Sequence, residues 1–136
     1  MRPILLDTNA YAEAKRGDDS IAEVIQCAET LAISPIVLGE LLSGFEGGSR
    51  AKKNRDELQE FLQSSRIRIF SITPDTARFY SQVYFSLKNK GRPIPTNDIW
   101  IAAQVLENGC MLCSYDKHFK EIDGLICGTT LSELML

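Results

Sequence analysis

Four acidic side chains stand where the surrounding sequence makes a carboxylate costly. Asp7 directly follows the apolar run ILL, and Glu40 lies inside the apolar stretch PIVLGELL. Asp98 falls in PTNDIWIAA, in the first turn of a predicted helix, and Asp116 falls in SYDKH. Removing a carboxylate from water is unfavourable unless a hydrogen-bond network, a basic partner or a metal ion compensates it. These four residues are therefore the candidates for chemistry.

Each acid also has a purely structural explanation. Asp7 could hold a turn through its own backbone, and Asp116 could do the same. Asp98 could serve a helix N-terminus, and Glu40 could pair with a lysine. Bringing all four together without a cation is unfavourable, however, because carboxylates held close together repel one another. A hard divalent cation with oxygen ligands, Mg²⁺ or Mn²⁺, would remove that cost.

The elements that must position these acids alternate between short strands and helices. Apolar runs predict strands at 4–6, 31–34, 67–72, 111–114 and 125–127. Caps and apolar spacing predict helices that begin at the S-x-x-E capping box of Ser20, over 35–45, over 52–65 and after Thr73. Thr96 is predicted to cap a further helix, which stops at Asn108-Gly109. This alternation predicts an α/β fold with a mainly parallel sheet, in one domain spanning 1–136. In such sheets ligands bind at the carboxyl ends of the strands, where Asp7 and Asp116 both fall.

Composition and charge limit the classes of protein to which the chain can belong. The 136-residue chain is 44% hydrophobic and 24% charged, which is typical of globular proteins. We expect a cytoplasmic protein, because no apolar run approaches the roughly 18 residues of a membrane span and no signal peptide is recognisable. A net charge of -3 argues against nucleic-acid binding by bulk charge. Two basic clusters, RAKKNR (50–55) and KNKGR (88–92), could be solvated surface, but we expect at least one to contact phosphate.

The four cysteines, Cys27, Cys110, Cys113 and Cys127, do not predict a metal site. The only close pair, Cys110 and Cys113, lies in a predicted strand, where residues three apart point to opposite faces. A second C-x-x-C is absent from the sequence, and His118 is its only histidine. We therefore expect reduced, partly buried thiols and no zinc.

The order and spacing of the acidic motifs resemble those of the PIN domain. The motifs are LLDTNA near the start, SPIVLGEL near position 40, PTNDIWIAA near position 98 and SYDKHF near position 116. The resemblance extends from Ile4 to Phe119. Within the PIN domains, the motif order and spacing are similar to those of the compact bacterial and archaeal toxins of the VapC family. The resemblance implies a three-layer α/β/α sandwich that acts as a ribonuclease dependent on Mg²⁺ or Mn²⁺.

On that resemblance, one acidic cluster performs both catalysis and metal binding. It consists of Asp7, Glu40, Asp98 and Asp116. Bound metal would generate hydroxide from water and neutralise charge on the reacting phosphate. We expect Glu40 to accept the proton from water, since its sequence neighbours are apolar. The family's final acid varies and is sometimes dispensable, and Asp116 stands at that position.

The resemblance also implies roles for residues beside the acids. Thr8 and Asn9 would support Asp7 or contact substrate, and Ser114 would belong to the substrate-binding residues. Phe119 matches an apolar anchor position. His118 is interpreted as structural.

Partners follow from the resemblance alone. Chains of this kind form homodimers and are held inactive by a cognate antitoxin, whose C-terminal segment covers the helices and directs a basic side chain towards the acids. A groove between apolar helices would suit such a segment. Candidate lining residues, each of which is more simply explained as part of the core, are Tyr11, Ile25, Phe45, Leu58 and Phe61.

Two other functions remain compatible with the sequence. The first is a non-catalytic PIN-like binding module. The second is a phosphatase of the haloacid-dehalogenase type, which also places an aspartate after an apolar first strand. Those phosphatases use the pattern D-x-D, with the first aspartate as nucleophile. Here Asn9 stands at the second position, and no matching lysine motif is evident.

Overall fold

The computed structural model describes residues 2–134 and contains one five-stranded parallel sheet. The strands are β1 (Ile4–Leu6), β2 (Leu31–Ile33), β3 (Ile67–Ile69), β4 (Met111–Cys113) and β5 (Cys127–Gly128). They lie in the order β3-β2-β1-β4-β5, and each neighbouring pair is parallel. Strand β1 is therefore central, and the residues that follow it lie at the middle of the sheet's carboxyl edge.

Seven α-helices and one 3₁₀ helix connect and cover the strands within residues 2–134. The α-helices are α1 (Thr8–Lys15), α2 (Asp19–Cys27), α3 (Pro35–Glu46), α4 (Ala51–Leu62), α5 (Pro74–Lys90), α6 (Thr96–Glu107) and α7 (Leu131–Leu134). The 3₁₀ helix spans Lys117–Glu121 and follows β4. In this described part of the chain, none of the helices has the length and apolar character needed to span a membrane.

The two faces of the sheet bury separate apolar clusters. On one face Leu5 and Leu112 pack with side chains from α3, α5 and α6. On the other face Ile4 and Leu6 pack with side chains from α2 and α7. Successive side chains of a strand point to opposite faces, so the uniformly apolar β1 supplies both clusters. This arrangement is the predicted three-layer α/β/α sandwich.

Most element boundaries agree with the predicted ones, but two predicted caps are wrong. Helix α2 is capped by Asp18, whose carboxylate accepts the backbone N–H of Ile21, and not by Ser20. Helix α6 begins at Thr96 itself, after Pro95, and has no side-chain cap.

The apolar run at 67–72 forms a strand only over Ile67–Ile69. The strand is this short because β3 pairs only with β2, which itself has three residues. The fifth strand lies at Cys127–Gly128 and not at 125–127. The predicted domain spans 1–136, and its terminal residues 1, 135 and 136 lie outside the described part of the chain.

Helix α1 was not predicted, and it is the element that shapes the site. It begins immediately after β1, because Asp7 ends the strand and caps the helix. The carboxylate of Asp7 accepts the backbone N–H of Ala10 at 2.8 Å. This first turn places Thr8 and Asn9 at the same edge of the sheet as Asp7.

Candidate active site

An open cleft of about 510 Å³ lies at the carboxyl edge of the sheet. The end of strand β1 and the helices α1, α3 and α6 all contribute to it, together with the start of the 3₁₀ helix. All four candidate acids line the cleft. The complete lining is Asp7, Thr8, Asn9, Glu40, Pro95, Thr96, Asn97, Asp98, Ile101, Asp116 and His118.

Asp7 is the most buried of the four acids, with 5% of its surface exposed. One carboxylate oxygen accepts the N–H of Ala10, and the other accepts the hydroxyl of Ser114. The pKa of Asp7 is raised to about 6, chiefly by burial. The negative charges of Asp116 and Asp98 act in the same direction, and the hydrogen bonds with Ser114 and Ala10 oppose the shift. A cation close to this carboxylate would stabilise its charged form.

Ser114 links two of the acids without lining the cleft. Its hydroxyl donates to Asp7, and its oxygen accepts the backbone N–H of Asp116 at 2.9 Å. The serine is buried, with 4% of its surface exposed. This geometry favours a positioning role for Ser114 over the predicted contact with substrate.

Glu40 is oriented by side chains from two other helices. Thr8 donates its hydroxyl to one carboxylate oxygen at 2.6 Å, and the amide of Asn97 lies 3.5 Å from the other. Thr8 thus supports Glu40, whereas the sequence suggested support for Asp7. Asn97 was not singled out from the sequence, although it stands directly before Asp98 in PTND. The sequence could have indicated Asn97, because it is a polar residue next to a candidate acid at the start of a predicted helix.

Asp98 lies in the first turn of α6 and faces His118. Its carboxylate oxygen is 3.2 Å from Nδ1 of the imidazole, and Nδ1 is also 3.1 Å from a carboxylate oxygen of Asp116. Burial raises the pKa of Asp98, and the charges of Asp116 and Glu40 act in the same direction, whereas His118 lowers it. His118, interpreted as structural from the sequence, therefore lies in the cleft between two candidate acids.

The donor set of the cleft fits a divalent cation. Among the described residues, no lysine or arginine forms an ion pair with any of the four acids, and His118 is the only basic side chain that contacts them. Ligand atoms of Asp98, Asp116 and His118 lie within 4.8 Å of one another. Clustered carboxylates with so little compensating charge are the oxygen ligands that hard divalent cations prefer.

The cysteines take no part in this site. Cys110, Cys113 and Cys127 have free thiols, as expected, and Cys27 is free and exposed. Burial raises the pKa of Cys113 to about 12, so its thiol stays protonated at neutral pH.

Comparisons with known proteins identify the family of this chain. A family model for the PIN domain matches residues 4–125. The chain is 34% identical to Ribonuclease VapC2 of Rickettsia felis, over 90% of this chain and 93% of that relative. It is 30% identical to Ribonuclease VapC2 of Haemophilus influenzae, over 93% of this chain and 94% of that relative.

A solved structure shares the whole architecture. The crystal structure of VapBC2 from Rickettsia felis, bound to a DNA fragment from the promoter, matches with a TM-score of 0.82 and 29% identity. The match covers 92% of this chain and 96% of the other. Sequence motifs, sheet order and the converging acids thus lead to one conclusion: the chain belongs to the PIN-domain family and is a VapC-type member of it.

Proposed function

We propose that this protein is a metal-dependent endoribonuclease that acts as the toxin of a toxin–antitoxin pair. The observation that carries the proposal is the cleft in which Asp7, Glu40, Asp98 and Asp116 converge without a lysine or arginine partner among the described residues. Relatives of similar length are named VapC ribonucleases, which supports hydrolysis of RNA phosphodiester bonds. An RNA target, in tRNA or another structured RNA, is consistent with a cytoplasmic protein.

The metal ion of this proposal is Mg²⁺ or Mn²⁺, because the cleft offers mainly carboxylate oxygens. Such an ion, when bound, activates water and neutralises charge that develops on the phosphate. Asp7, Asp98 and Asp116 would hold it, and Ser114 fixes the separation of Asp7 from Asp116. Glu40 would accept a proton from water while Thr8 keeps its carboxylate in place.

The substrate-facing roles fall to the exposed polar residues of the cleft. Asn9 lines the cleft and lies at the start of α1, and its exposed amide can donate to a phosphate or ribose oxygen. Thr8 can also face substrate, although its hydroxyl is already used by Glu40. Asn97 completes this rim on the α6 side.

The alternatives weighed from the sequence fare differently. The haloacid-dehalogenase interpretation is wrong, because the family match is to the PIN domain over residues 4–125. A non-catalytic PIN-like module would not need to keep four acids converging on one open cleft. The retained acids therefore favour an active enzyme.

Cleavage of RNA should require added metal. Incubation of the purified, metal-free protein with total cellular RNA should give discrete fragments in Mg²⁺ or Mn²⁺ and none with excess chelator, measured by gel electrophoresis and mapping of the new ends. Cleavage that persists in chelator would contradict the proposal. The Asp98→Asn variant, purified in the same way and treated in parallel, controls for contaminating nucleases.

A second groove adjoins the cleft, and its lining includes four cationic side chains. Thr8 and Glu40 line both concavities, so the groove of about 480 Å³ between α1, α3 and α4 lies directly beside the candidate active site. Its cationic lining residues are Lys15, Arg16, Arg50 and Lys53. Lys15 and Lys53 pair with Glu57, and Arg16 pairs with Glu13. Of the five residues suggested from the sequence for such a groove, Tyr11 and Phe45 line it.

We propose that the RNA strand runs along this groove and that an antitoxin segment covers it in the inactive complex. The structures that resemble this chain include VapBC complexes, which supports an antitoxin partner for it. The apolar walls at Tyr11 and Phe45 suit a peptide segment, and the cations suit phosphates or acidic side chains. A homodimer remains part of the proposal.

Neutralising the groove should reduce the salt dependence of cleavage. Arg50 and Lys53 line the groove, and Arg50 forms no ion pair within residues 2–134. In the double variant Arg50→Gln, Lys53→Gln we expect kcat/KM to fall and the slope of its logarithm against log salt to decrease by about 1 per lost phosphate contact.

The second basic cluster provides the matched comparison for that experiment. Lys90 is engaged by Asp123, so the available cations of this cluster are Lys88 and Arg92. The double variant Lys88→Gln, Arg92→Gln removes the same charge at a distance from the groove in sequence. Unchanged salt slopes in both double variants would show that none of these four side chains contacts phosphate.

A further inference from the structure

His118 occupies a position that the acidic cluster alone does not explain. Its Nδ1 atom lies 3.2 Å from Oδ2 of Asp98 and 3.1 Å from Oδ1 of Asp116. These two acids come from different elements, α6 and the turn after β4. One ring nitrogen therefore faces two carboxylates of the candidate metal site at the same time.

These distances are those of neighbouring ligands around an octahedral ion. An ion of the magnesium type holds its ligands at about 2.1 Å, which places adjacent ligand atoms about 3 Å apart. The imidazole nitrogen is at that separation from both carboxylate oxygens. The three groups can thus supply adjacent positions of one coordination sphere without a large rearrangement of the chain.

Local structure holds the imidazole in this place. Asp116 caps the 3₁₀ helix by accepting the backbone N–H of His118 at 2.9 Å. Phe119, the next residue, is buried in the core and anchors the turn. The backbone on both sides of His118 is thus held, and the half-exposed ring lines the cleft.

We propose that His118 is a nitrogen ligand of the divalent cation, beside Asp98 and Asp116, and that it biases the site towards Mn²⁺ over Mg²⁺. The inference rests on the proposed function in one respect, namely that the cleft binds a divalent cation. It goes beyond that function by adding a ligand outside the four acids and by assigning a metal preference.

The preference follows from ligand chemistry. Mg²⁺ favours oxygen ligands and keeps several of its waters, whereas imidazole nitrogen suits transition metals. A site with carboxylates alone discriminates weakly between Mg²⁺ and Mn²⁺. Replacement of one oxygen position by the Nδ1 of His118 strengthens binding of Mn²⁺ more than binding of Mg²⁺.

The competing explanation is a hydrogen bond that has nothing to do with metal. In that case the imidazole would occupy the place of the cation between Asp98 and Asp116, and metal would have to displace it. Removal of the ring would then strengthen the binding of both ions. The two explanations predict opposite changes in Mn²⁺ affinity.

The experiment uses the tag-free, full-length protein, in which His118 is the only histidine. Pulsed electron paramagnetic resonance of bound Mn²⁺ should show coupling to an imidazole nitrogen in the wild type and lose it in His118→Asn. Calorimetry on the same proteins should show Mn²⁺ affinity reduced roughly tenfold or more. The change in Mg²⁺ affinity should be several-fold smaller, and Lys117→Ala, an exposed neighbour, should resemble the wild type.

Each contrary result has a distinct meaning. Mn²⁺ that binds the wild type without nitrogen coupling overturns the role of His118 and leaves the proposed nuclease intact. Tighter binding of both ions in His118→Asn also overturns it, in favour of the hydrogen bond. If the wild type binds no Mn²⁺ at millimolar concentration, the metal site and the proposed function both fail. Thermal unfolding of each variant shows that the comparison is between folded proteins.

Discussion

Asp98→Asn should reduce metal-dependent RNA cleavage by roughly a thousandfold while leaving the protein folded. Metal-assisted stabilisation of charge contributes several kcal/mol to such reactions, and each factor of ten in rate corresponds to about 1.36 kcal/mol. Asparagine keeps the size of Asp98 but removes the negative charge that would hold the cation in the first turn of α6. Initial cleavage rates in saturating Mn²⁺, together with Mn²⁺ titration by calorimetry, measure both consequences.

A matched substitution outside the cleft tests the specificity of this effect. Asp123 is an exposed acid that pairs with Lys90 and does not line the cleft. Asp123→Asn makes the same chemical change and should leave the cleavage rate and Mn²⁺ affinity within about twofold of the wild type, as expected of an exposed ion pair. If Asp98→Asn cleaves RNA as fast as Asp123→Asn, the acids of the cleft do not hold a catalytic metal.

Asp7→Asn should stabilise the metal-free protein at neutral pH even though it weakens metal binding. Burial raises the pKa of Asp7 from 3.8 to about 6, so the folded protein binds this proton more tightly than the unfolded chain does. Stability from this group is complete below pH 3.8 and is lost as pH rises through 6. The loss amounts to about 3 kcal/mol at pH 7 and above.

Asparagine carries no charge, so it avoids that loss. We expect the free energy of unfolding of metal-free Asp7→Asn to exceed that of the wild type by about 1–3 kcal/mol at pH 7.5. The range extends down to the smaller value because the amide reproduces the hydrogen bonds with Ala10 and Ser114 imperfectly. Below pH 4 the variant and the wild type should be similar. Urea unfolding at both pH values in the presence of chelator measures the difference.

Added Mn²⁺ should reverse the order of stability. Ligand that binds only the folded state stabilises it in proportion to the logarithm of its concentration over Kd. The wild type should therefore unfold at higher urea concentration as Mn²⁺ increases, whereas Asp7→Asn should respond little. A variant that is less stable than the wild type at pH 7.5 without metal would mean that the Asp7 carboxylate is compensated within the protein itself.

The sheet and its carboxyl edge could be predicted from the chain because local patterns report them. Each apolar run that is buried on both faces predicts a strand, and the helical segments between them require parallel connections. Asp7 and Asp116 follow β1 and β4, which are adjacent in the sheet. Both acids lie at one edge because the two strands run in the same direction, and the alternation of strands and helices already predicts that direction.

Helix α1 shows where local patterns mislead. Its eight residues, TNAYAEAK, contain no large aliphatic side chain, and no loop separates them from β1, so the sequence carries no helical signal distinct from the end of the strand. The capping carboxylate of Asp7 makes the helix possible at that point by accepting the N–H of Ala10. Asp7 is therefore both a candidate catalytic acid and the N-cap of α1, and the sequence pattern indicated only the first of these roles.

By itself the sequence determined the order of the elements, the four acids and the family pattern, because these depend on residue types and on their spacing along the chain. Only the tertiary structure decided which side chains are in contact with one another. Ser114 binds Asp7 across 107 residues, and Thr8 binds Glu40 across 32. His118 reaches Asp98 only because the turn after β4 folds against the start of α6. Such contacts depend on packing between elements, and a one-dimensional pattern carries no information on the direction in which a side chain points across a cleft.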